Sequence, residues 1–195
     1  MKIGRRSFSE IAFVSLSLLI TGGVAHASHP TVRWDIISVE FTTPPTITPG
    51  GISSALANDE SMVTLTGAGT FRLRRGNPHV TGGGTWTTFD PSGNVTGSGT
   101  YEVTGLVRFD VGPGNPPEQI DLIGNPAERS AGLAVLEIEY SDGNAGILVV
   151  SCNFLPPPAP VFEGVTATKN FVDFFNRVPP VPNVNANRTI FHISP

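Results

Sequence analysis

Thr66-Gly67-Ala68-Gly69-Thr70-Phe71 recurs as Thr81-Gly82-Gly83-Gly84-Thr85-Trp86 and again as Thr96-Gly97-Ser98-Gly99-Thr100-Tyr101, and this repeat decides the fold. The offset between copies is 15 residues each time. One strand and one tight turn use about that many residues, so the repeat reads as a three-strand antiparallel meander. Alternate residues of a strand face opposite sides. Each copy therefore sets its two glycines on the face that carries an aliphatic and an aromatic: Leu65 with Phe71, Val80 with Trp86, Val95 with Tyr101. The threonines take the other face.

Keeping the apolar faces together across the turn Asp90-Pro91-Ser92-Gly93-Asn94 restricts the register. Pairing Asp90 with Val95 sets Trp86 opposite Gly99 and Tyr101 opposite Gly84. Each aromatic then covers exposed backbone at a glycine and permits tight curvature. The glycines have a second use: on an inner face they leave room for a ligand between aromatic walls. Both uses stand on the sequence.

The rest of the chain agrees with a β fold. With 22 Gly and 18 Pro among 195 residues, the composition suits short strands and turns. Strands are expected over residues 32–41, 62–74, 79–89, 95–111, 133–140, 147–154, 162–168 and 189–194. Phe171, Phe174, Phe175 and Val178 fall at i, i+3, i+4 and i+7, which predicts one short helix or helical turn near the C-terminus. The expected architecture is all-β, an antiparallel β-barrel or strongly curved β-sandwich of about eight strands.

Residues 1–27 read as an export signal: Lys2, Arg5 and Arg6, then an apolar run over 11–20, then Ala25-His26-Ala27 for cleavage. Arg5-Arg6-Ser7-Phe8 resembles the twin-arginine export signature, with Glu10 where a basic residue is usual. The run is too short and too diluted by Ser15, Ser17 and Thr21 to span a bilayer. Residues 28–195 are expected to form a single secreted or periplasmic β domain with no membrane association after cleavage. Removing Lys2, Arg5, Arg6 and Glu10 from the 12 basic and 16 acidic residues leaves 9 and 15, a net charge of −6. That balance argues against nucleic acid and against an anionic membrane surface as partners.

Little in the sequence carries chemistry. Cys152 is the single cysteine and sits in the apolar run 147–152, as a buried small hydrophobe does. His29, His79 and His192 have no metal-ligand spacing, and the Asp142-Gly143-Asn144 turn lacks the acids of a calcium loop, so neither a metal nor a cofactor is expected. Gly82-Gly83-Gly84 has no following helix and no Gly-Lys-Ser/Thr, which excludes a phosphate loop. Gly97-Ser98-Gly99 puts its serine mid-strand, unlike a nucleophile elbow. Asn94-Val95-Thr96 and Asn187-Arg188-Thr189 match the glycosylation pattern, but a bacterial type of export signal argues against a glycan.

Glu137 and Glu139 share one strand face; two such acids inside a barrel do general acid and base work, and on the outside they are a solvated face. Lys169 is the only lysine after residue 27, near Glu163 and Asp173. It suits a buried ion pair, an anion ligand or a surface helix pair with Asp173.

Glu163-Gly164-Val165-Thr166-Ala167-Thr168-Lys169, Phe171-Val172-Asp173 and Asn187-Arg188-Thr189-Ile190-Phe191-His192, together with the Gly-x-Gly-Thr-aromatic repeat, resemble a loose group of uncharacterised secreted β-domain proteins of bacteria and fungi. That resemblance implies export and a β domain, and no activity. The glycine-and-aromatic strands also resemble, in architecture alone, the small barrels of allene oxide cyclases and dirigent proteins, and architecture does not transfer function.

The leading expectation is a non-catalytic domain holding a small apolar or mixed-polarity ligand near Phe71, Trp86, Tyr101 and Lys169. An alternative is a cyclase- or isomerase-like enzyme with Glu137 or Glu163 as its pocket acid. A third is a structural or surface-associated protein acting through its threonine-rich exterior.

Overall fold

A computed structural model of the chain describes residues 29–73, 79–156, 162–180 and 184–195. The export signal read over residues 1–27 lies outside them. The chain order begins β1 (Thr31–Glu40), β2 (Thr46–Pro49), β3 (Ser53–Leu56), β4 (Met62–Leu65) and β5 (Ala68–Arg72). It continues with β6 (Val80–Phe89), β7 (Val95–Val111), β8 (Ile120–Asp121), β9 (Arg129–Ser130) and β10 (Gly132–Tyr140). It ends with β11 (Ala145–Cys152), β12 (Gly164–Lys169), β13 (Val172–Phe174), β14 (Asn176–Arg177) and β15 (Arg188–Ser194).

The described residues are all-β, as the composition predicts, but the 15 strands among them form one open mixed sheet and not a closed barrel of about eight. The path runs β13-β12-β11-β10-β7-β6-β5-β1-β15-β9, with side branches. Two strands change partners along their length, and this opens the sheet. Gly83 back to Val80 of β6 pairs with β5, whereas Trp86 to Phe89 pairs with β4, which leads on to β3 and β14. β1 pairs with β5 up to Asp35 and with β2 from Ile37, and β2 takes β8 as its parallel partner. Forked ladders end in branches instead of returning to a first strand.

The meander register is the one the repeat implies. Trp86 faces Gly99 and Gly84 faces Tyr101 across β6 and β7, with a bulge between Thr88 and Phe89 that brings Phe89, not Asp90, opposite Val95. The glycines are sterically required there. A Cβ at Gly84 would sit 1.9 Å from the Thr66 carbonyl oxygen, and one at Gly99 would sit 3.0 Å from the Trp86 indole nitrogen.

The helix expected over 171–178 is absent. Asn170 and Phe171 both take left-handed backbone angles, φ 51° and 68°, and reverse the chain so that Lys169 pairs with Val172. This two-residue reversal has the backbone of a tight hairpin turn. Phe174 is buried in the core while Phe171 is fully exposed, so the apparent stripe shares no face. The only helical element among the described residues is a 3₁₀ turn at Pro126–Glu128.

β1 buries both of its faces. Val32, Trp34 and Ile36 enter the main core with Phe71, Trp86, Tyr101, Leu136, Tyr140 and Leu148. Ile37 and Val39, on the opposite face by strand alternation, form a second cluster with Ile47 and Ile190. The segment from Gly112 to Ala131 crosses that second face. It is held by Arg33, which donates to the Ile123 carbonyl at 3.2 Å, and by the contact of His192 with Asp121.

Candidate functional site

Among the residues expected around a ligand, the structure brings Trp86, Tyr101 and Lys169 together inside the main core. Trp86 and Tyr140 meet edge-to-face at 5.8 Å, and Tyr101 and Tyr140 lie 6.4 Å apart. Lys169, 4% exposed, holds its ammonium 4.2 Å from the Trp86 ring centroid and 4.6 Å from that of Tyr140, and it pairs with Asp142. The cation attracts both ring faces, and the carboxylate balances its charge. Asp142 is accordingly held below the usual carboxylate range, first by its bond from Lys169 and then by Asn144. Lys169 is thus a buried ion pair and not a partner of Asp173, which sits opposite Thr168.

The polar tips of these aromatics are satisfied by backbone. Tyr101 donates to the Thr66 carbonyl at 2.8 Å, Trp86 to Thr100 at 3.1 Å and Tyr140 to Thr168 at 2.9 Å. Burial pushes both tyrosine hydroxyls well above their ordinary pKa. Phe71 packs at 5.2 Å on Phe109 elsewhere in the same core. The four residues expected around a ligand therefore fill an interior. Their glycine neighbours serve close packing, the first of the two uses open in the sequence.

Glu137 is exposed and alternates with buried Leu136 and Ile138, the pattern of a half-solvated strand. Glu163 has a different environment. It precedes β12 at a groove of about 1010 Å³, where the ends of β1 and β15, the stretch after β11 and the segment before β12 converge. Ile37, Val39, Phe154, Phe162 and Ile190 give the groove apolar walls, and Glu163 and Arg188 are the two charged residues among its described lining. The walls are the exposed margin of the second hydrophobic cluster.

The Glu163 side chain is 18% exposed. Burial drives its carboxyl up to about 7, against the opposing pull of Arg188 and of the Thr189 amide. The compensation is weak because both contacts are long: 3.9 Å from Arg188 Nη1 to Oε2, and 3.3 Å from the Thr189 amide donating to Oε1. Arg188 Nε is buried and finds no hydrogen-bond partner among the described residues. Cys152 lies nearby, and burial, reinforced by the Glu163 charge, pushes its thiol well above the ordinary value. A thiol in that state is a packing residue and not a nucleophile.

A second polar cluster lies on the same face of β1 and β15. Arg33 donates twice to Asp35, both bonds 2.8 Å. His192 Nε2 lies 2.8 Å from Asp121, with Arg129 at 3.7 Å. Burial raises the Asp121 pKa, but bonds from His192 and from the Ile123 and Gly124 amides outweigh it and hold the carboxyl below its usual range. The contacts of His192 with Asp121 and of Arg33 with the Ile123 carbonyl tie the Gly112 to Ala131 segment to the sheet, a structural role.

Sequence reasoning singled out Glu163 and missed its surroundings. In the sequence Arg188 stood out only within a glycosylation-like triplet and a family-like motif, neither of which gave it a role. Asn187, the acceptor of that triplet, is buried with its Oδ1 accepting from the Ser54 amide at 2.6 Å. The signal available was alternation: Arg188, Ile190 and His192 share one face of β15, opposite Thr189 and Phe191.

The chain matches no protein-family model, no curated protein and no solved structure.

Proposed function

We propose that this is an exported, non-catalytic β domain that holds a small, mainly apolar molecule in the groove beside Glu163. The basic, apolar and small-x-small segments of residues 1–27 support export to a secreted or periplasmic location. The groove carries the rest. Ligand sites are concave, mostly apolar and about 300–1,000 Å³ in volume, with a few convergent polar groups. This one, at about 1010 Å³, has mainly apolar walls, a few uncharged polar groups such as Asn115, Gln119 and Asn153, and a single acid–base pair.

Native mass spectrometry of the protein purified from its own host tests the proposal. A retained small molecule in stoichiometric amount is expected, and it should be lost in Ile190→Trp, which fills the groove. A molecule retained equally by Ile190→Trp places the binding elsewhere and defeats the proposal.

One observation favours a second reading, an isomerase- or cyclase-like enzyme. A carboxyl titrating near 7 is matched to proton transfer at neutral pH. Glu163 is the acid that suits it, whereas Glu137 is solvated. Under this reading Glu163→Gln keeps the bound molecule and loses its conversion. Unchanged release of the same compound by both proteins rules the reading out.

A further inference from the structure

The groove's charged end also specifies a class of ligand, an inference that rests on the groove being a binding site. Arg188 and Glu163 face the groove as an incomplete pair. Their closest approach of 3.9 Å exceeds the N–H···O range of about 2.7–3.2 Å for a hydrogen bond. A guanidinium carries five N–H donors in a fixed fork, and here the buried Nε has no acceptor among the described residues. That nitrogen is enclosed, but the side chain as a whole is 24% exposed in the lining of the groove, so a ligand meets the rest of the guanidinium. The fork matches a planar carboxylate in bidentate fashion. Beyond this pair the wall is mainly apolar, formed by Ile37, Val39, Ile190, Phe154 and Phe162, with Asn115, Gln119 and Asn153 as uncharged polar groups.

We propose that the groove binds an elongated apolar molecule ending in a single carboxylate, with Arg188 as its head-group ligand. Glu163 sets the charge of that head group. With its own carboxyl proton retained to about pH 7, Glu163 does not neutralise Arg188, and it can share its proton with the incoming carboxylate. A dianionic phosphate in the same place would stand against the Glu163 carboxyl with twice the charge. A neutral chain would leave the Arg188 donors unmet.

Displacement of a neutral fluorescent probe, N-phenyl-1-naphthylamine, from the full protein tests this. Dodecanoate and dodecan-1-ol serve as competitors of equal chain length. Dodecanoate is expected to displace the probe at a concentration at least tenfold below that of dodecan-1-ol. Arg188→Gln should weaken dodecanoate at least tenfold more than it weakens the alcohol, and Arg188→Lys should recover only part of that loss. If Arg188→Gln does not fold, the acid-to-alcohol ratio on the unaltered protein and the Arg188→Lys result decide. Equal displacement by acid and alcohol overturns the carboxylate inference while leaving the groove as a binding site. No uptake of the probe, or uptake undiminished in Ile190→Trp, overturns the groove itself.

Discussion

The two faces of β1 bury hydrophobic side chains in different ways. On one face Val32, Trp34 and Ile36 meet a closed core in which the hydroxyls of Tyr101 and Tyr140 and the ring nitrogen of Trp86 have backbone acceptors, while the Trp34 ring nitrogen is buried with no partner among the described residues. Lys169 there has a counter-ion and two aromatic faces. On the other face Ile37 and Val39 meet a small cluster that opens into a groove, where Arg188 and Glu163 are left poorly matched. What separates the faces is access: the first is a closed interior, and the second opens into a concavity that holds a poorly matched charged pair, which gives it capacity for a ligand.

The largest test of this contrast is Trp86→Ala. The indole packs on Tyr140, Lys169 and the glycines of β7, so its loss should cost about 3–5 kcal/mol in chemical denaturation. Groove binding by the protein that remains folded should not change. A cost below about 1 kcal/mol would mean the aromatic face is not a packed core.

The next effect is a pH dependence from the other face. The folded Glu163 carboxyl keeps its proton to about 7, while the unfolded chain releases it near 4.5. Its contribution to stability is complete below about pH 4.5 and is lost as pH rises through 7, amounting to about 3 kcal/mol. Melting temperatures measured from about pH 5 to about pH 8 should fall, and Glu163→Gln should flatten that part of the profile. An identical slope in both proteins would assign the titration to another group.

The smallest effect is expected from Lys169→Ala. It removes two cation–π contacts and leaves Asp142 alone, but Asp142 is about a third exposed and regains water. A loss of about 1–2 kcal/mol follows, read from the denaturation midpoint at constant slope. A loss as large as that of Trp86→Ala would mean that the buried charge organises the core around it.

How much of this was legible varies by region. Seven of the eight strands expected from periodicity exist as single strands, and the one over 62–74 divides into β4 and β5. The crossing of Trp86 on Gly99 and of Tyr101 on Gly84 follows from the repeat because the side-chain period of a strand is two. The short strands β2, β3, β8 and β9 escaped, since two to four residues are too few to show a period. β13 and β14 were hidden by phenylalanines that happen to fall at helical spacing. The deciding event there is a reversal at Asn170 and Phe171, which no hydrophobic pattern encodes. At the groove, Glu163 was visible as an acid in an apolar segment, but Arg188 was not: its proximity depends on β12 and β15 meeting at one end of the sheet.

The sequence by itself determined the β class, the glycine–aromatic face and the meander register, because each depends on neighbours within one strand and its hairpin partner. The tertiary structure alone decided that the sheet forks instead of closing, that Lys169 pairs with Asp142 and not Asp173, and that the cavity lies beside Glu163 and Arg188. Those outcomes rest on contacts between residues far apart in the chain, and local periodicity carries no information about them.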